Sequence, residues 1–119
     1  MYDYPANIIT ALKDFPRVSL LSQKTPLEKL HNLTNFLSKD EDNSTNFFIK
    51  RDDLTSLAMG GNKTRPLEFI LGEALSKECD QIIITGAVQS NYCRSAAAAS
   101  AKLGLGCHIQ LENLSLIHI

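Results

Sequence analysis

Gln81-Ile82-Ile83-Ile84-Thr85-Gly86-Ala87-Val88-Gln89-Ser90-Asn91 is the stretch on which the fold turns. Gln81 to Thr85 is a β-branched run of the kind found in strands buried on both faces of a parallel sheet. The residues after it turn the chain into an Ala-rich helix, expected over roughly Tyr92 to Leu103 and ended by Gly104. Ala96 to Ala99 would let that helix lie close to the sheet. Gly106 then leads into Cys107-His108-Ile109-Gln110-Leu111, an alternating strand. Upstream, Phe47, Phe48 and Ile49 predict a buried strand within 46–51. Leu67, Ile70, Leu71, Ala74 and Leu75 recur at helical spacing and predict one apolar stripe. Pro66 is tolerated only in a first helical turn, which places that helix start near Lys63 to Arg65. From residue 46 the order is thus strand, helix, strand, helix, strand, the pattern of a parallel α/β sheet with right-handed crossovers.

Earlier in the chain, residues 6–13 predict a short helix with Ile8, Ile9 and Leu12 on one side, stopped by Pro16, and Val18 to Leu21 reads as extended. Thr25-Pro26-Leu27-Glu28 reads as a helix start, with Thr25 as cap and Leu27, Leu30, Leu33 and Leu37 following at helical spacing. Ser38 to Asn46, with Asp40, Glu41 and Asp42 in succession, reads as a solvated loop. His31 and His108 read as surface or packing residues. Asp52-Asp53 reads as a turn or a partner for arginine.

The 119 residues suit one domain, 44% hydrophobic and 21% charged. Twelve Lys plus Arg against 13 Asp plus Glu give a formal net charge of -1, which argues against a general nucleic-acid binder. No cationic segment followed by an apolar core opens the chain, and no apolar run is long enough to span a bilayer. Cytoplasmic residence without a membrane partner is the expectation. Cys79, Cys93 and Cys107 lack metal or redox spacing and are expected to be reduced and mostly buried, and no metal site is expected.

Two loops leave the carboxyl ends of strands and are expected to meet at one cleft, where ligands of such sheets bind. The first, 52–64, holds Met59-Gly60-Gly61-Asn62-Lys63-Thr64-Arg65. Its glycines permit close backbone approach, and the positive end of the following helix dipole disfavours the cationic form of Lys63, as an amine nucleophile requires. Taken alone, Gly-Gly-x-Lys also reads as a solvated lysine in a turn. The second, 86–91, offers the Ser90 hydroxyl, the Asn91 amide and free N–H groups, a set suited to a carboxylate. The same pair also reads as an ordinary helix cap. A phosphate-binding P-loop is excluded, because Asn62 and Leu57 stand where that pattern needs glycine. An activated lysine beside a carboxylate cradle suits Schiff-base chemistry on an amino acid.

Three runs in order, Lys50-Arg51-Asp52-Asp53-Leu54-Thr55, Gly60-Gly61-Asn62-Lys63-Thr64-Arg65 and Gln89-Ser90-Asn91-Tyr92-Cys93-Arg94, resemble the D-cysteine desulfhydrase and 1-aminocyclopropane-1-carboxylate (ACC) deaminase family. These are fold-type II pyridoxal-phosphate (PLP) enzymes, and the likeness runs from about Pro16 to Glu112. The resemblance implies a three-layer parallel sheet with helices on both faces, in tryptophan synthase β-like style. It implies that Lys63 holds PLP through its amine and then serves as the base at Cα. Asn91 would hydrogen-bond the cofactor's phenolic oxygen, Ser90 would contact the substrate carboxylate, and Asn62, Gln89 and Tyr92 would be neighbours of cofactor or substrate. The implied outcome with a small β-substituted amino acid is elimination, followed by hydrolysis to a 2-oxo acid and ammonia. Cys93-Arg94 is nearer the desulfhydrase pattern than the deaminase one. Tyr92 departs from both, so ACC deaminase, L-cysteate sulfo-lyase and a non-catalytic PLP-binding module stay open.

The family's enzymes are far longer, and its glycine-rich phosphate loop, pyridine-nitrogen partner and late tyrosines have no counterpart here. Residues 1–45 are accordingly expected to belong to the larger PLP domain, 46–112 to form a partial α/β domain with the lysine, and 113–119 to be a tail foreign to the family. Such a piece is expected to be inactive by itself, with the whole protein a homodimer.

Overall fold

The computed structural model describes residues 6–38 and 45–113. Its elements are α1 (Ala6–Lys13), β1 (Leu27–Lys29), α2 (His31–Leu37), β2 (Phe48–Lys50), α3 (Thr64–Ser76), β3 (Gln81–Ala87), α4 (Asn91–Leu103) and β4 (Gly106–Glu112). Two tight turns, Asp52–Leu54 and Leu57–Met59, lie between β2 and α3. Asp40, Glu41 and Asp42 of the acidic loop fall outside the described residues, as do the side chains of Ile8 and Ile9.

The β-branched run becomes β3, paired in parallel with β4 from Gln81↔Gly106 to Ala87↔Glu112. Helix α4 crosses between them and packs on both strands. Its alanines allow this, since Ala96 and Ala99 are fully buried and Ile82 and Ile84 pack against their cluster. Gly86 takes part in the same close approach, because a Cβ there would fall 2.7 Å from Cys93 Sγ. Gly104, at φ +74°, ends α4 in the left-handed conformation that glycine adopts without strain. Burial alternates along β3, and Ile83 on the second face is 79% exposed. Helix packing among the described residues therefore covers one face of this strand, not both.

β2 does not join the parallel sheet. It pairs antiparallel with β1 (Leu27↔Lys50, Glu28↔Ile49, Lys29↔Phe48), and Phe48 and Ile49 are exposed rather than buried. The same pairing overturns the helix expected from Thr25. Pro26 O and Phe47 O accept from Arg51 N and Leu30 N at 3.0 and 2.8 Å, extending the ladder at either end. Thr25 caps nothing; its hydroxyl donates to Asp52 Oδ1 at 2.9 Å, and the helix begins only at His31. Long-range pairing outweighs a local capping signal whose stabilisation is only about 1 kcal/mol.

The buried stripe of α3 is also rotated from the apolar reading. Thr64, Leu67, Glu68, Leu71 and Gly72 are buried, whereas Ile70 and Leu75 are exposed. Glu68 causes this: Oε1 accepts from Leu20 N and Leu21 N at 2.9 and 3.1 Å, and Oε2 accepts from Arg17 Nε at 2.9 Å. Residues 18–21 thus lie against α3 without joining a ladder, with Val18 N donating to Glu68 O at 2.9 Å. Leu20 completes the core with Leu67, Leu71, Ala96 and Ala99. Burial pushes the Glu68 carboxyl up, but the Leu20 amide, Arg17 and the Leu21 amide together hold it below the usual carboxylate range. Of the cysteines, Cys93 is buried, Cys107 half-buried and Cys79 exposed, so burial of most of them is not met.

Candidate active site

The glycine loop is built from unusual backbone. Ala58, Met59, Gly60 and Gly61 follow one another at φ 49°, 65°, 81° and 122°. Two of these are L-residues in a conformation that disfavours them, a form of strain that persists only where surroundings over-determine it. At Gly60 no side chain fits, since a Cβ would lie 2.1 Å from Asp53 O. The chain then enters α3 with Lys63 at the cap position, Leu67 N donating to Lys63 O at 3.2 Å. Pro66 sits in the first turn, as its missing N–H demands. Lys63 is half-buried, and its amine has no hydrogen-bond or ion-pair partner among the described residues.

The second loop ends β3 and starts α4. Ser90 is the cap, extended at φ −62° and ψ 119°, and its Oγ accepts from Cys93 N at 3.3 Å. Capping uses the oxygen as acceptor and leaves the hydroxyl proton to donate. The cap and the carboxylate-donor readings of Ser90 are therefore compatible. Asn91 is the first helical residue, and its Nδ2 lies 3.4 Å from where a Cβ on Gly61 would stand. Arg94 Nη2 donates to Gly60 O at 3.1 Å. These two approaches bring the loops together, although the strands preceding them belong to separate sheets.

Asp52 faces Arg65 in a two-point pair, Nε to Oδ2 and Nη2 to Oδ1, both at 2.8 Å. The Arg65 hydrogen bond holds the Asp52 carboxyl below its usual range against the opposing effect of burial, with Thr25 assisting. Asp53 pairs instead with Arg51, which also reaches Glu28. Arginine pairing of Asp52-Asp53 was readable from the sequence; the involvement of Thr25, and of Arg94 with Gly60, was not. The signal available was position: Arg65 and Arg94 follow Lys63 and Asn91 by two and three residues.

The remaining candidates are less gathered. Asn62 and Gln89 are exposed, and Tyr92 is half-buried against the core cluster. Lys63, Ser90 and Asn91 supply an amine without a partner among the described residues, a hydroxyl and an amide at two helix starts. That donor set fits an aldehyde cofactor with a ring oxygen and an amino-acid carboxylate. No helix among the described residues is long and apolar enough to cross a membrane.

Comparison with known proteins agrees with this chemistry. A family model described as pyridoxal-phosphate dependent enzyme matches residues 18–114. D-cysteine desulfhydrase of Serratia proteamaculans is 47% identical over 107 residues, covering 90% of this chain and 31% of that protein. D-cysteine desulfhydrase of Yersinia enterocolitica is 48% identical over 102 residues, covering 86% and 29%. A crystal structure of an ACC deaminase homologue superposes with a TM-score of 0.78 at 42% identity, over 91% of this chain and 31% of that one. The chain thus spans about 30% of the length of the relatives it matches, and its mixed α/β architecture is that portion of their fold. With the family matched over most of its length and Lys63 and Asn91 on two loops that meet, the chain belongs to the pyridoxal-phosphate dependent enzymes.

Proposed function

We propose that the whole protein is a PLP-dependent lyase acting on D-cysteine, releasing pyruvate, sulfide and ammonia. The observation that carries this reading is the meeting of the Lys63 and Asn91 loops at Gly61, in a chain 47% identical to a D-cysteine desulfhydrase. PLP, when bound, supplies the electron sink for a carbanion at Cα. Lys63 would hold the cofactor through its amine, and the same amine would move the proton at Cα. The Asn91 amide would donate to the cofactor's ring oxygen and help orient it. The Ser90 hydroxyl, with the first amides of α4, holds the substrate carboxylate. Loss of the Cα proton and of sulfide from Cβ leaves an enamine that takes up water to give pyruvate and ammonia.

In this reading residues 1–45 belong to the larger cofactor domain and 46–112 to a partial α/β domain, and the whole protein is a cytoplasmic homodimer. Only six apolar residues are buried among the described residues, against sixteen large apolar residues left exposed. So small a core supports a chain that is inactive until the rest of the family fold covers it. The test compares D-cysteine, ACC and L-cysteate as substrates of the whole protein, following 2-oxo acid and sulfide. Sulfide and pyruvate from D-cysteine are expected. Turnover of ACC or L-cysteate instead would move the protein to another branch of the family, and cofactor binding without turnover would favour a non-catalytic module.

A further inference from the structure

Gly61 and Arg65 flank Lys63 by two residues on either side, and both are tied to Asp52. Asp52 O accepts from Gly61 N at 3.0 Å, and its carboxylate takes both contacts from Arg65 at 2.8 Å. Thr25 closes the arrangement by donating to Asp52 Oδ1 at 2.9 Å and accepting from Arg65 Nη2 at 2.8 Å. Thr55 adds a bond to Gly61 O at 2.8 Å, and Lys50 Nζ donates to Thr25 O. Gly61, held this way, closes the four-residue run at positive φ, a strained conformation that persists only where its surroundings hold it.

We propose that Asp52, with Arg65 and Thr25, is a positioning residue for Lys63. Its main chain holds the glycine loop before the lysine, and its carboxylate holds the first helical turn after it. This rests on Lys63 being the cofactor lysine. A two-point arginine–carboxylate pair fixes orientation as well as distance, and misplacement of a reacting group by about 1 Å can cost on the order of a hundredfold in rate.

The test loads the whole protein with PLP and measures apparent affinity, the site of attachment after borohydride reduction and peptide mapping, and visible circular dichroism per bound cofactor. The last quantity reports how rigidly the ring is held, and a loss of stability alone does not move it. Asp52→Asn and Arg65→Ala are each expected to weaken affinity about tenfold and to reduce the dichroism per bound cofactor, with attachment still at Lys63. The double variant should be no worse than the singles, since both remove one interaction. Gly104→Ala, at the end of α4 far from Asn91, should lower stability and leave the dichroism per cofactor unchanged. Wild-type dichroism and affinity in Asp52→Asn would overturn the proposal. Should that variant fail to fold, Thr25→Val decides in its place, a reduced signal supporting the proposal and an unchanged one overturning it. Undiminished attachment in Lys63→Ala would instead overturn the reading of the lysine itself.

Discussion

Arg94 Nη2 donates to Gly60 O at 3.1 Å, joining the first turn of α4 to the glycine loop ahead of Lys63. This contact couples two motifs that lie 34 residues apart in the chain. Arg94→Ala is expected to cost about 1 kcal/mol, the net contribution of one such hydrogen bond, and to weaken PLP uptake several-fold. Urea denaturation and cofactor titration on the same variant check both effects. Loss of stability with unchanged uptake would show that the loops meet without help from Arg94.

Of the four acids among the described residues whose carboxyls are held low in the folded chain, Asp52 and Glu68 are the less exposed and Asp53 and Glu73 are solvent-screened. Asp52 and Glu68 both have carboxyls held below their ordinary range in the folded chain. Between those lowered values and the unfolded ones near about 4, the unfolded state binds more protons than the folded state, so stability rises with pH. Their contribution is therefore present above about pH 4 and is lost as pH falls through the folded-state values. Glu68→Ala leaves the Leu20 and Leu21 amides without their acceptor and should cost about 3 kcal/mol near neutrality. It should also flatten the acid limb of a plot of urea midpoint against pH. An unchanged acid limb in both Glu68→Ala and Asp52→Asn would contradict this assignment.

Gly60 and Gly104 both sit at positive φ, +81° and +74°, but differ in ψ (−178° against 19°) and in their surroundings. A Cβ at Gly104 meets nothing within 4 Å, whereas one at Gly60 overlaps Asp53 O at 2.1 Å. Gly104→Ala should cost about 1 kcal/mol, from backbone conformation alone. Gly60→Ala should cost clearly more and abolish ordered cofactor attachment, because the loop must move. Equal thermal shifts in the two variants would mean that the loop absorbs the side chain without consequence.

What could be read without coordinates was what local pattern controls. The run Gln81 to Thr85, the cap at Ser90 and the Ala-rich α4 specify their structure within a few residues, and Lys63 stands out through its glycines and Pro66. The region around Thr25 could not be read this way, because its partners Asp52 and Arg65 lie 27 and 40 residues away. The same holds for Glu68, a charged residue on what a hydrophobic pattern marks as the edge of a stripe. Its inward placement follows from amides 47 and 48 residues distant. Within the site, Lys63, Ser90 and Asn91 carry their chemistry in residue type. Asp52 and Arg94 act through geometry, which spacing alone does not encode.

The central claim is that Lys63 is the residue that takes the cofactor. Incubation of the whole protein with PLP, borohydride reduction and peptide mapping tests it directly. The account predicts a single modified peptide containing Gly60-Gly61-Asn62-Lys63, with the visible band of the bound cofactor lost in Lys63→Ala. Modification spread over Lys50, Lys77 and Lys102 in proportion to exposure, with the band retained in Lys63→Ala, would contradict it.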